Sequence, residues 1–419
     1  MKKATKKTRE TEDRSESQLL VPLGELIGRT LREFVATAGV VTLRELLERE
    51  RTEACGERYR HDSARTAYRA GHAPGELVLG GRRIAVPRPR ARTTSGEELE
   101  LPSWELFSRE DPLGERAVQQ MLLGVSTRRY EASLEALPEG IESRGTSKSA
   151  VSRRFVEATE AQLHEWLGRR LEDLDLVALL IDGLYVDNHV LLVALGIDTK
   201  GFKHVLGVRI GATENSTATT ALLVDLRERG MRTDQKILAV LDGSKALRKS
   251  VVEVFGDNAV IQRCQVHKVR NVIEQLPEAM RASVRASMRQ AYTTRDAVRA
   301  KKLLENLART LRQDHPDAAG SMLEGLDETL TVMRFGLPPR LERLLSTTNA
   351  IENLIGSSRE RTRRVKRWKD GSMVLRWFVA AMHDASRRFR RVWAHDHVGK
   401  LVAALRPSPN RVAATKKAA

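Results

Sequence analysis

Between residues 174 and 267, apolar runs alternate with amphipathic stretches, and two of the runs end on a carboxylate. The first, LDLVALLIDGLYVD, is rich in β-branched residues and carries Asp182-Gly183 near its end. HVLLVALGIDTKG and FKHVLGVRIG follow as two further strands, joined by turn residues at 198–201. NSTATTALLVDLRERG then reads as a helix opened by N-capping residues, and KILAVLDGS as a buried strand ending at Asp242-Gly243. A helix (KALRKSVVEVFGD), a short strand (AVIQRCQVH) and the start of another helix (HKVRNVIEQL) complete the series.

Three leading strands joined by tight turns must pair antiparallel, and the alternation after them calls for parallel additions to the same sheet. The order βββαβαβα is the plan of a ribonuclease-H-like α/β core. In such a sheet Asp182 and Asp242 sit at the ends of adjacent buried strands. A carboxylate is costly there without a partner. Two like charges that approach one another call for a cation between them, and carboxylate oxygens are hard ligands suited to Mg²⁺ or Mn²⁺. Asp187, Asp198 and Asp225 are weaker candidates, because they read as positions beyond a strand end, in a turn and on a helix.

A third carboxylate would let the site hold two ions. Residues 268–345 contain no strand pattern. Apolar positions recur there at helical spacing, as in Leu303, Leu304, Leu307 and Leu311, punctuated by Pro277, Pro316, Pro338 and Pro339. After this helical insertion, TTNAIENLIGSSRERTRRVKRWKDG (347–371) predicts a long basic helix capped by Thr348 or Asn349, with Ile351, Leu354 and Ile355 as its buried stripe. At 100° per residue, Glu352, Arg359, Arg363 and Lys366 fall within about 40° of one line. That face sets a metal-binding carboxylate ahead of three cations, an arrangement suited to DNA with its reacting phosphate on the metals. Glu342 and Glu360 compete with Glu352, but Glu360 points away from this face. Arg364, Arg367 and Trp368 extend the candidate DNA contacts, Trp368 by stacking on a base or else by packing on the core.

Charge supports a polyanionic partner. Lys and Arg total 72 against 55 Asp and Glu, a net charge of +17 over 419 residues. From Ser357 to Val392 there are twelve Lys/Arg against three Asp/Glu. Hydrophobic residues make up 41% of the chain, enough for real cores. Two distant cysteines, Cys55 and Cys264, rule against a disulfide scaffold or a zinc finger built on paired cysteines. No apolar run reaches the ~20 residues of a membrane span, and the N-terminus lacks a hydrophobic signal core. A cytoplasmic location is the default expectation.

Ahead of the core, residues 1–18 read as a disordered charged stretch and 19–110 as helices plus a β-hairpin. Leu77 and Leu79 flank Gly80-Gly81 on one side, Ile84 and Val86 on the other. Arg88, Arg90 and Arg92 follow at alternate positions, either a solvated edge or an arm that tracks phosphates. Residues 111–170 predict two helices, GVSTRRYEASLEAL and GTSKSAVSRRFVEATEAQLHEWL, in a helix-turn-helix-like arrangement with a longer connection than usual. Arg128, Arg129, Lys148, Arg153 and Arg154 lie where such helices contact DNA. The remaining divisions are 171–267 for the first part of the core, 268–345 for the insertion, 346–395 for core completion and 396–419 for a basic tail.

The motifs LLIDG (179–183), LGIDTKGFKHVLGV (195–208), VLDGSKAL (240–247), QRCQVHKVRN (262–271) and STTNAIENLIGSSRERTRR (346–364) together resemble the Mutator-like DDE transposases, in their bacterial insertion-sequence branch. The resemblance runs from about residue 40 to about residue 390 and places the catalytic triad at Asp182, Asp242 and Glu352. It also matches a Cys-x-x-His motif at Cys264 and His267, near the metal site, in a catalytic or a structural role. The implied activity is metal-dependent cleavage and strand transfer at the terminal inverted repeats of an insertion sequence, with two Mg²⁺ (or Mn²⁺) ions. Double-stranded DNA is the implied partner, as transposon ends and target, bound by a homodimer or higher assembly. Two other readings of the residues are a ribonuclease-H-fold nuclease or resolvase, and a non-catalytic DNA-binding regulator.

Overall fold

A computed structural model describes residues 34, 37–60, 63, 65–109, 115–134, 143–144, 147–211 and 216–407. The expectations for residues 1–18 and for the last twelve residues, the helical reading of residues 19–33 and the end of the helix expected at 124–137 lie outside this set. The chain divides into two compact units, residues 1–158 and 159–419. Among the described residues no helix is long and apolar enough to cross a membrane.

The first unit holds a helix over residues 37–55 (α1), strands β1 (Ala67–Ala73), β2 (Glu76–Leu79), β3 (Arg82–Ala85), β4 (Arg88–Thr93) and β5 (Glu98–Leu99), and helices α2 (Pro102–Arg109) and α3 (Glu115–Leu122). A short strand β6 (Ser143–Arg144) pairs with β3. The predicted hairpin is β2–β3, with Leu79 opposite Arg82. Gly80 and Gly81 between them both have positive φ, 61° and 83°, as a two-residue type I′ turn demands. Leu77 and Ile84 are buried against Val40, Leu43 and Leu47 of α1. The alternating arginines that follow are partly spent within the unit. Arg90 donates two hydrogen bonds to Glu98, at 3.0 and 2.7 Å, and Arg88 lies 3.7 Å from the same carboxylate.

Of the helix expected at 124–137, the described part, residues 124–134, is not regular. Gly124, at φ 89°, ends the preceding turn, and only Glu131–Ser133 makes a single 3₁₀ turn. Burial of Tyr130 and the Ser133–Gln120 hydrogen bond, 2.9 Å, hold this segment as turns. Helix α4 (Lys148–Gly168) is regular, and the division between the units falls within it.

The second unit is built on a five-stranded sheet of β7 (Leu176–Val186), β8 (His189–Asp198), β9 (Lys203–Gly211), β10 (Ile237–Leu241) and β11 (Ala259–Arg263). Its order is β11-β10-β7-β8-β9. β7, β8 and β9 are antiparallel neighbours, and β10 and β11 run parallel to β7. Strand alternation gives each face its own core. Leu179, Ile181, Ala239 and Leu241 pack with α5 (Ser216–Glu228) and α6 (Lys245–Phe255). Leu180, Leu184, Leu238 and Val240 face the other way.

Between β11 and residue 345 the chain is helical: α7 (Gln265–Glu274), α8 (Glu278–Thr293), α9 (Ala297–Leu311), α10 (Pro316–Leu323), α11 (Leu326–Thr329), α12 (Thr331–Arg334) and α13 (Pro339–Leu345). Val272, Met288, Leu304 and Met322 give this region a core of its own. Helices α14 (Asn349–Thr362) and α15 (Gly371–Ser386) then return to the second face of the sheet, where Ile351, Leu354, Val374 and Phe378 join its core. Residues 398–405, assigned to a basic tail on composition, form α16 (Val398–Leu405) instead. Val398, Leu401 and Leu405 are buried at helical spacing in that same core.

The predicted long basic helix is also shorter than its sequence suggests. α14 stops at Thr362, so Glu352 and Arg359 share a helix, Arg363 is the C-cap, and Lys366 lies beyond it. Trp368 packs on the core, with its ring 5.9 Å from that of Phe378, and the Asp370 side chain caps α15 by accepting from the Met373 N–H. Both contacts require the chain to leave the helix before residue 368.

Candidate active site

The sheet register brings the two aspartates together. Val240 is paired with Leu180 on adjacent parallel strands, so Asp242 and Asp182 each lie two residues further along. With a side-chain period of two, both leave the sheet on the face of Leu180 and Val240. Ile351, Leu354 and Ile355 pack on that face and carry Glu352 of α14 with them. Each aspartate spends one oxygen on a backbone N–H: Asp182 Oδ1 accepts from Gly183 at 2.9 Å, and Asp242 Oδ1 accepts from Ser244 at 2.7 Å. Among the described residues the second oxygen of each accepts no hydrogen bond.

The electrostatics mark this as a place for positive charge. Burial, together with the neighbouring carboxylates of Asp242 and Glu352, pushes the Asp182 carboxyl up to about 6, despite the Gly183 hydrogen bond and nearby His267. A half-buried carboxylate beside two others, with no Lys or Arg ion pair among the described residues, fits a hard divalent cation.

On the other side of Glu352 lies a network that local sequence patterns do not reveal. Cys264 is the N-cap residue of α7 and is fully buried, and His267 lies in the first turn of the same helix. Thr348 stands at the N-cap of α14 with zero exposure. Contrary to expectation, its side chain does not cap the helix. Its hydroxyl donates to Glu352 Oε1 at 2.5 Å and lies 3.3 Å from His267 Nδ1 and from Cys264 Sγ. One hydroxyl proton can serve only one acceptor, and the carboxylate is the strongest of the three. The Thr348 backbone N–H donates to Cys264 Sγ at 3.4 Å.

Ligand atoms of Cys264, His267 and Glu352 lie within 4.8 Å of one another. Burial pushes the Cys264 thiol up, but hydrogen bonds to His267 and Thr348 outweigh it and leave the thiol below its usual range. The hydrogen bond to Cys264 and the nearby carboxylates of Glu352 and Asp182 raise the His267 pKa against the opposing effect of burial. Cys264 and His267 are thus linked to one another and, through Thr348, to Glu352. Asp182 and Asp242 are not part of this close group.

The competing carboxylates lie away from this trio, and three of them are engaged by other groups. Asp187 sits in the β7–β8 turn at φ 51°. Asp198 accepts from the backbone N–H groups of Lys200 and Phe202, and Asp225 pairs with Arg229 at 3.0 Å. Glu342 is buried, and Glu360 lies 3.3 Å from Arg363.

The candidate DNA contacts divide by exposure. Arg128 and Arg129 are exposed in the turn before Tyr130, Lys148 and Arg153 are exposed on α4, and Arg154 is half-buried. Arg359, Arg363, Arg364, Lys366 and Arg367 are exposed. Trp368 is half-buried and packs against Phe378.

The family model described as "Transposase, Mutator family" matches residues 14–392. The transposase for insertion sequence element ISRM5 of Rhizobium meliloti is 30% identical over 357 residues, covering 83% of this chain and 85% of the relative. The transposase for IST2 of Acidithiobacillus ferrooxidans is 28% identical over 216 residues, 52% of this chain and 72% of its own length. The transposase for IS256 in transposon Tn4001 of Staphylococcus aureus is 25% identical over 354 residues, 81% of this chain and 87% of its own.

Proposed function

We propose that this chain, which belongs to the Mutator family of transposases, cleaves the ends of an insertion sequence and joins them to target DNA on a ribonuclease-H-like core. The observation that carries this reading is the trio of carboxylates on one sheet face, two from adjacent parallel strands and one from α14, with no Lys or Arg ion pair to Asp182 among the described residues. The strand order supports the ribonuclease-H-like assignment, with three antiparallel strands followed by two parallel ones on the side of β7.

Asp182, Asp242 and Glu352 would hold two Mg²⁺ or Mn²⁺ ions. Bound there, such ions would activate a hydroxyl nucleophile and stabilise charge on the phosphate and the leaving oxygen. The chain itself contributes positioning. Gly183 and Ser244 fix one oxygen of each aspartate, and Thr348 fixes one oxygen of Glu352. Arg359 and the cations after Thr362 would contact flanking phosphates, and the exposed basic residues at 128–129 and 148–153 would bind the terminal inverted repeats. Acting on two ends at once calls for a dimer or larger assembly on DNA, in the cytoplasm at the nucleoid.

Purified protein, Mg²⁺ and labelled element-end DNA test this. Nicking and strand transfer are expected, and Asp182→Asn should abolish both while end binding persists. Binding without metal-dependent cleavage would make the chain a DNA-binding regulator. Cleavage of branched DNA without strand transfer would make it a resolvase-type nuclease.

A further inference from the structure

A cleft of about 1110 Å³ opens within the helical insertion between α7, α8 and α13. Its charge is one-sided. Arg281, Arg285 and Arg289 recur every four residues on α8, so they rise about 6 Å at a time along one face. Arg270 of α7, Arg295 after α8 and Arg343 of α13 also line it. Against these six cations stand Glu274 and the buried Glu342. Arg281 donates to the Leu276 carbonyl at 2.9 Å and Arg295 to that of Leu337 at 3.5 Å. Arg270, Arg285, Arg289 and Arg343 make no ion pair with a described carboxylate. Unpaired like charges facing one another across a cleft repel, and a polyanion relieves that repulsion. The floor between them is apolar, with Val269, Ile273 and Pro339, and Val266 is 39% exposed.

The cleft also adjoins the carboxylate site. Gln265 and Ser346 line it and are joined by a hydrogen bond from the Gln265 N–H to the Ser346 carbonyl at 3.0 Å. Two residues further along their chains lie His267 and Thr348; the Thr348 hydroxyl donates to Glu352, and His267 Nδ1 lies 3.8 Å from the same carboxylate. A strand engaged at the carboxylates and continuing past Thr348 would enter the cleft directly.

We propose that this cleft is a second DNA track, in which the backbone of the strand leading away from the reaction site is held by the α8 arginines and Arg343. The proposal rests on the reading of the chain as a DNA-cutting enzyme and names where that enzyme holds its substrate beyond the basic segment after α14. Repeated cations along a whole helix suit successive phosphates better than a single small anion, and the apolar floor suits sugars and bases.

The test uses the full chain with Arg285, Arg289 and Arg343 all changed to Gln. These three make no hydrogen bond that the fold depends on. A control changes three exposed cations of the same insertion outside the cleft, Arg299, Lys302 and Arg312, to Gln. Fluorescence anisotropy across a salt series would use a labelled random-sequence duplex and a labelled oligothymidylate, with thermal melting as the check on folding. Three lost phosphate contacts should lower the slope of log affinity against log salt by about 2.7 for duplex or about 2.1 for single strand. The probe that shows the loss identifies which form lies in the track. Arg→Lys at the same three positions should restore most of the slope. An unchanged slope on both probes in a folded variant would overturn the proposal, and so would an equal loss in the control. A wild-type chain that shows the cleft-dependent slope yet cuts no element-end DNA would instead overturn the catalytic reading and leave the track standing.

Discussion

Thr348→Val is the sharpest probe of the site, because it removes one hydroxyl and little volume. Thr348 is fully buried, and its hydroxyl donates to Glu352 Oε1 at 2.5 Å while facing His267 Nδ1 and Cys264 Sγ at 3.3 Å. The cost to folding should be small, about 0.5–1.5 kcal/mol, since the Glu352 side chain is 34% exposed and water can replace the lost donor. The cost to function should be larger. A hydrogen bond to a charged group contributes about 1.5–3 kcal/mol. If that hydrogen bond is what keeps Glu352 oriented for the reacting phosphate, cleavage should slow by roughly 10- to 150-fold. A loosened carboxylate should also raise the Mg²⁺ concentration needed for half-maximal rate, by roughly 10- to 100-fold on the scale of other outer-shell partners. The assay is the single-turnover nicking rate on labelled end DNA across a Mg²⁺ titration, with Thr348→Ser as control. Serine keeps the hydroxyl and should stay near wild type. A valine variant that is folded and as fast as wild type, at the same Mg²⁺ requirement, would refute the positioning role. If serine were as slow as valine, the methyl contact rather than the hydroxyl would be responsible.

Two further substitutions test the packing claims. Trp368→Ala should lower stability by about 3 kcal/mol, the low end for a tryptophan because the ring is only half-buried, and should leave the salt slope of DNA binding unchanged; a weakened slope with unchanged melting would return Trp368 to the DNA contacts. Burial raises the Glu342 pKa above its unfolded value, with Arg295 opposing. The folded state therefore holds the proton more tightly, and stability falls as pH rises from the unfolded pKa through the raised folded one. Glu342→Gln should melt higher than wild type at neutral pH, with the difference shrinking on acidification below the unfolded pKa, and an increment independent of pH would contradict this.

The parts of the molecule legible in the sequence are those in which burial follows a local period. The strands of the five-stranded sheet announce themselves as apolar runs, the helices as three- and four-residue recurrences, and the β2–β3 turn as Gly-Gly. Asp182 and Asp242 stand out because a charge at the end of a buried run contradicts its surroundings, and Glu352 because it precedes a dense basic stretch. Where local pattern and long-range packing disagreed, packing prevailed. Residues 347–371 read as one helix by their charge periodicity, yet Trp368 and the Asp370 cap draw the chain out of it after Thr362. Residues 398–405 look like a tail by composition, but three residues bury on the sheet and make them a helix.

What the sequence determined by itself was therefore the alternation of strands and helices and the basic character of the chain, and it singled out three conspicuous carboxylates as candidates. Tertiary structure alone decided which groups those carboxylates meet. Cys264 and His267 are more than 80 residues from Thr348 along the chain, and the α8 arginines belong to a different helix from Arg343. No periodicity records such meetings, because a side chain's period reports whether it is buried, whereas its partner is set by the register of strands and the crossing of helices far away in sequence.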